Sequence, residues 1–142
     1  MAWTSRFGAL NLCGITLAAV FVAQAALACT HDAGWQEMTA ESHNSGEASI
    51  RLPVDNVPLN QPFEIEVSVC PADGAPIERF TLDAIMPAHQ HGMNYQPVIL
   101  KSGDGAFLAD GLVFHMPGIW RISVSALVGG ETHGYFLDLK IR

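Results

Sequence analysis

Apolar and polar residues alternate along most of the chain from residue 50 onward. In the clearest stretch, Phe63, Ile65, Val67 and Val69 are separated by polar residues. Alternation with a period of two predicts β-strands that bury one face. The same pattern returns in four further runs, which are Ile50 to Val54, Phe80 to Met86, Trp120 to Val128 and Tyr135 to Ile141.

Short segments rich in glycine, aspartate and proline separate these runs. They read PADGAP at 71–76, SGDGA at 102–106, MPG at 116–118 and GGETHG at 129–134. Such residues favour turns, and the SGDG segment predicts a hairpin between strands at 98–101 and 106–109. No long helical pattern is present. About seven or eight short strands at this spacing predict an all-β, immunoglobulin-like β-sandwich.

The first 28 residues are typical of an export signal. An apolar run from Phe7 to Ala26 follows Arg6 and ends in the small-residue exit Ala26-Leu27-Ala28. This order predicts cleavage after residue 28 and places the mature protein in the periplasm or elsewhere in the cell envelope. The polar residues 29–47 then form a flexible leader, and residues 48–142 form the sandwich domain.

Cys29 and Cys70 remain after the predicted cleavage, and they allow two interpretations. Exported proteins often pair their cysteines, because the compartment is oxidising. Alternatively, Cys29 directly follows the cleavage site, where a bacterial lipoprotein carries its lipid. The protein would contact a membrane only if Cys29 were lipidated or the signal remained uncleaved.

The chain is acidic, with 14 acidic and seven basic residues and a net charge of −7. Loss of Arg6 with the signal would change this charge to −8. An acidic surface repels phosphate backbones, so nucleic acid is excluded as a partner.

The segment MPAHQHGMNYQP, residues 86–97, contains the first candidate metal ligands. If it is extended, His89, His91 and Met93 project to one side. Imidazole suits copper and zinc, and a thioether selects soft Cu(I). Met86 continues the buried parity of Leu82, so it could be either a ligand or a core residue.

A second segment, GLVFHMPG at 111–118, adds His115 beside Met116. Adjacent residues of a strand face opposite ways, which favours His115 as the ligand and places Met116 in the core. Two further histidines, His43 in the leader and His133 in the glycine-rich turn, are predicted to be exposed.

Together the motifs MPAHQHGM and FHMPGIW resemble the YtkA-like domains, relatives of the FixH family. The resemblance covers about residues 50–142. It implies an exported, immunoglobulin-like domain with links to copper handling or oxidase assembly. The motif positions that it implies as ligands are Met86, His89, His91, Met93, His115 and Met116.

These observations favour a periplasmic copper-binding protein, a chaperone or buffer that could pass Cu(I) to a copper-accepting envelope protein. A metal-free adhesion or assembly module is the first alternative. A metal-dependent enzyme is the second, but no acidic residue follows His91 in its motif and no G-x-S-x-G or P-loop occurs. A blue-copper carrier would need a cysteine after the cluster, and none is present. We therefore expect a protein that is not an enzyme.

Overall fold

The computed structural model describes residues 32–41, 46–53 and 56–142. Within these ranges the chain forms ten β-strands and no helix. The predicted signal peptide, Cys29 and His43 lie outside them. The strands are β1 (Trp35–Glu37), β2 (Thr39–Ala40), β3 (Glu47–Arg51), β4 (Phe63–Cys70), β5 (Ile77–Met86), β6 (His91–Gly92), β7 (Val98–Gly103), β8 (Ala106–Leu112), β9 (Gly118–Val128) and β10 (Glu131–Ile141).

The strands build two antiparallel five-stranded sheets. One has the order β1-β3-β4-β8-β7, and the other has the order β2-β10-β9-β5-β6. Neither sheet closes into a barrel, and this arrangement agrees with a sandwich. The predicted all-β fold is therefore confirmed. Seven of the ten strands have five residues or more, which matches the lower number predicted from the alternation.

A single apolar core lies between the sheets, and alternation explains its membership. All four apolar positions of β4 are buried, and so are the five that alternate along β9. Aromatic rings connect the two sheets: Phe80 of β5 stacks on Phe107 of β8 with ring centroids 4.0 Å apart. Burial of these side chains is the main stabilisation that such a core provides.

The predicted hairpin at the SGDG turn is confirmed by the pairing of β7 with β8. Gly105 is required in this turn for two reasons. Its φ of +70° is unfavourable for residues with a side chain, and a Cβ there would collide with the carbonyl oxygen of Val69.

The N-terminal segment differs from the predicted flexible leader. β1 pairs with β3 and β2 pairs with β10, while Met38 between them is buried and its N–H donates to the carbonyl of Ala48. These strands are two or three residues long and mostly polar. Backbone pairing rather than an apolar pattern holds them, so alternation does not predict them.

His133 is also placed differently from the prediction. It is buried, with 7% of its surface exposed, because the turn comprises only Gly129 and Gly130 and β10 already begins at Glu131. Across the part of the chain that the structure describes, no helix is long and apolar enough to cross a membrane.

Candidate metal centre

A tight turn after β5 places the first histidine motif. The N–H groups of His89 and Gln90 both donate to the carbonyl of Met86, at 3.1 and 2.9 Å. Gln90 has a left-handed φ of +52°. The chain therefore reverses direction, and β6 returns beside β5 with His91 directly opposite Met86.

This turn corrects the expectation that His89, His91 and Met93 project together from an extended chain. His89 lies in the turn and is exposed. His91 and Met93, by contrast, both lie beside β5, since the Met93 N–H donates to the Ala84 carbonyl at 3.2 Å. The Met93 side chain packs against the core. The inner face of the hairpin therefore carries one histidine of the pair.

The second motif enters the site through a contact between the segment after β8 and the segment before β4. Phe114 forms a parallel bridge with Leu59, and the Asn60 N–H donates to the Phe114 carbonyl at 2.8 Å. Phe114 is fully buried, and His115 follows it in a half-buried position. This anchoring holds the His115 ring at the end of the sandwich where β5 also ends.

His91 and His115 come together from the two motifs. Their ring centroids are 5.1 Å apart with an interplanar angle of 28°. The His89 ring lies 6.0 Å from His91 at 35°. The residues from both motifs therefore meet at one place, and His91 is in the middle.

Trp120 lies against both imidazoles. Its ring centroid is 5.9 Å from that of His91 and 5.4 Å from that of His115, at interplanar angles of 80° and 77°. The indole is fully buried, stacks on Phe114 at 4.5 Å and donates its N–H to the carbonyl of Met116 at 2.9 Å. A fixed aromatic ring therefore orients the two imidazoles. Their side chains have less conformational freedom to lose if a metal binds.

The Nε2 atom of His91 is buried and has no hydrogen-bond partner. Buried polar atoms are nearly always bonded, so each exception requires an explanation. A neutral imidazole nitrogen with a free lone pair is the donor that a transition metal uses. The unpaired Nε2 of His91 therefore suits the role of a metal ligand, because a bound ion would take the place of the missing hydrogen-bond partner.

Two methionines lie on the inner face near His91, and one does not. Met86 is 2% exposed and shares the face of His91, because directly opposite residues of antiparallel strands point the same way. Met93 packs against the core beside it. Met116 was predicted to be a core residue and is instead 36% exposed, since β8 ends at Leu112 and alternation stops before Pro117.

In the described ranges, no three side chains drawn from His, Cys, Asp and Glu form a group that could hold a metal ion. The segments that meet here, residues 84–100 and 111–120, contain no charged side chain. The structure brings two imidazoles together, with Met86 opposite His91 on the paired strands and Met93 two residues after it. Imidazole and thioether donors of this kind favour Cu(I).

A cavity of about 220 Å³ gives solvent access to this group. It is lined by Asn60, Asn94, Tyr95, Val113 and His115. Sequence reasoning missed the role of Trp120, which it assigned to the core by parity, and of Asn60, which belongs to no motif. The left-handed φ of Asn60, +58°, is the structural sign of its special position.

Comparison of the chain with protein families, curated proteins and solved structures finds no match.

Proposed function

We propose that this protein binds Cu(I) in the cell envelope and acts as a chaperone or buffer for it. The observation that supports this most directly is the buried, unpartnered Nε2 of His91 beside the ring of His115. The cost of leaving a buried nitrogen unbonded is offset if an ion binds there. His91 and His115 would be the imidazole ligands, and Met86 and Met93 would offer thioethers.

The lack of charged side chains in the two segments of the site supports a monovalent ion. Burying a charge without a counter-charge is costly, and the cost rises with the charge of the ion. Neither segment of the site supplies a carboxylate. Cu(I) therefore suits this environment better than Zn²⁺ or Cu²⁺, whose sites in proteins usually include charged or additional nitrogen ligands.

Transfer to a partner is consistent with how the group is exposed. His91 is half-buried, His115 borders an open cavity, and Met116 and His89 are exposed around them. An ion held here remains accessible to a copper-accepting protein of the envelope. The predicted export signal and the resemblance to YtkA-like, immunoglobulin-like domains support the same location and role.

A competition titration with a coloured Cu(I) chelator tests the proposal. We expect one Cu(I) per chain, and the His91→Ala/His115→Ala variant should bind at least about 100-fold more weakly because both imidazoles are lost. His133→Gln is the matched control, since it removes a histidine of β10 outside the group. Equal affinity of the wild type and the double variant would refute the proposal.

One observation favours a second function, a metal-free assembly module. β7 is the edge strand of its sheet and exposes Val98 and Leu100. An exposed apolar edge can pair with another chain. Metal analysis of the protein purified from its native envelope distinguishes the two, because the assembly module would contain no copper.

A further inference from the structure

His91 is the shared member of two histidine pairs. Its ring centroid lies 5.1 Å from that of His115 and 6.0 Å from that of His89. The pairs differ in their surroundings. We name the His91–His115 pair the inner position and the His89–His91 pair the outer position.

The inner position is fixed and shielded. Trp120 contacts both of its rings, and the thioethers of Met86 and Met93 lie on the same inner face as His91. The outer position lacks these features. His89 is exposed in the four-residue turn after Met86, and its N–H donates to the Met86 carbonyl.

Resting on the proposed copper function, we infer that the outer position is a second metal position through which the ion passes to and from the inner one. Because His91 belongs to both pairs, an ion can exchange His89 for His115 without leaving the protein. Soft or borderline ions that accept imidazole nitrogen, Cu(I) first among them, are the ligands that this position would take.

Such a role makes His89 a determinant of rate rather than of affinity. A residue that contacts the ion only during passage lowers the barrier in both directions equally. Its loss therefore slows uptake and release together and leaves their ratio, which is the equilibrium affinity, unchanged. His115 holds the ion at rest, so its loss should weaken the affinity itself.

The test combines equilibrium and stopped-flow measurements on the purified protein with Cu(I) and a coloured chelator. His89→Gln should bind Cu(I) within about threefold of the wild type but exchange it about tenfold more slowly, within the range found when metal-site neighbours are removed. His115→Ala should lower the affinity instead. His89→Ala serves as a second variant, and thermal unfolding checks that each variant is folded.

Gln90→Asn is the matched control. It changes the neighbouring residue of the same turn and leaves both imidazole pairs intact. Asparagine readily adopts the left-handed φ of +52° found at this position. Its exchange rate should equal that of the wild type.

Each outcome decides between the two proposals. Failure of the wild type to bind Cu(I) would overturn the copper function and the outer position together. Binding by the wild type with unchanged rates in His89→Gln would overturn the outer position alone. An affinity loss in His89→Gln as large as that in His115→Ala would also overturn it, because His89 would then be a resting ligand.

Discussion

The terminal methyl carbon of Met86 lies 2.6 Å from the point where a Cβ atom on Gly118 would stand. Gly118 also has a φ of +137°, a backbone conformation that residues with a side chain rarely adopt. Glycine at the start of β9 therefore has two roles. It permits the backbone path after Pro117, and it leaves space for the thioether that lies on the inner face with His91.

Replacing Gly118 with alanine should lower the free energy of unfolding by about 1–3 kcal/mol, because the φ is strained and the Met86 methyl must move within a packed core. The displaced thioether should also weaken Cu(I) binding. Chemical denaturation and the chelator titration measure the two effects on one variant.

Gly111→Ala separates strain from displacement. Gly111 has a positive φ of +85°, but a Cβ there would meet nothing within 4 Å. We expect this variant to lose stability and to keep the Cu(I) affinity of the wild type. Equal losses of affinity in both variants would show that Met86 is not involved in binding.

Copper affinity should depend steeply on pH. Imidazole binds a metal only when neutral, so protons compete with the metal and affinity should fall as the solution is acidified. With two imidazoles in the inner position, the fall should approach about 100-fold per pH unit, and His115→Ala should reduce it to about tenfold. Titrations between pH 5 and 8 provide the slopes. A pH-independent affinity would mean that thioethers alone hold the ion.

Removal of the Tyr135 hydroxyl should stabilise the protein. Tyr135 is 1% exposed, its hydroxyl is buried without a hydrogen-bond partner, and burial raises its pKa. Tyr135→Phe eliminates the unpaired group and should raise the free energy of unfolding by about 1 kcal/mol. Tyr95→Phe, at a residue 65% exposed, should have no effect. A loss of stability in Tyr135→Phe would indicate that the hydroxyl has a partner in solution.

Alternation along the chain predicted the strands that carry the core because each buries one face. It could not predict the turn that exposes His89. That turn depends on hydrogen bonds to the Met86 carbonyl and on the left-handed φ of Gln90. The pattern of hydrophobic residues reveals neither of them. Met116 was wrongly placed in the core because parity, which holds as far as the buried Phe114, was extended one step further to the residue before Pro117.

The contact between the rings of His91 and His115 could be proposed from the sequence only as a hypothesis. Each motif contains plausible ligands, but their contact depends on the register that sets β6 beside β5 and on the bridge between Leu59 and Phe114. Trp120 shows the same limit. Its parity predicted burial correctly, whereas its edge-to-face contacts with both imidazoles arise from tertiary packing.

The ion pair between Arg121 and Asp138 should contribute a small, pH-dependent stability. The two residues are directly opposite on β9 and β10, and Arg121 donates two hydrogen bonds of 2.8 Å, which lower the pKa of Asp138. Because the folded pKa lies below the unfolded value of about 3.9, the contribution is present above pH 4 and is lost as pH falls through the folded pKa.

Asp138→Asn should therefore be slightly less stable than the wild type at pH 7, since the pair is exposed. The difference should shrink as denaturation is repeated towards about pH 3. Glu78→Gln, at an exposed carboxylate of β5, is the matched control. A difference that grows on acidification would contradict the assignment.

The disulfide at Cys70 should stabilise the fold without affecting copper. Cys70 is disulfide-bonded, and both other cysteines of the chain lie outside the described residues. β4 runs eight residues from Phe63, whose ring contacts Phe114 near the histidines, so Cys70 is about 23 Å along the strand from that end. A thiol at this distance cannot be a ligand of the inner position.

Cys70→Ser should lower the free energy of unfolding by about 2–4 kcal/mol and leave the Cu(I) affinity unchanged. If Cys29 is the partner, as the sequence suggests, Cys29→Ser should cost the same and the double variant should cost no more, because both remove one bond. An undiminished stability in Cys29→Ser would instead mean that Cys29 is not the partner of Cys70.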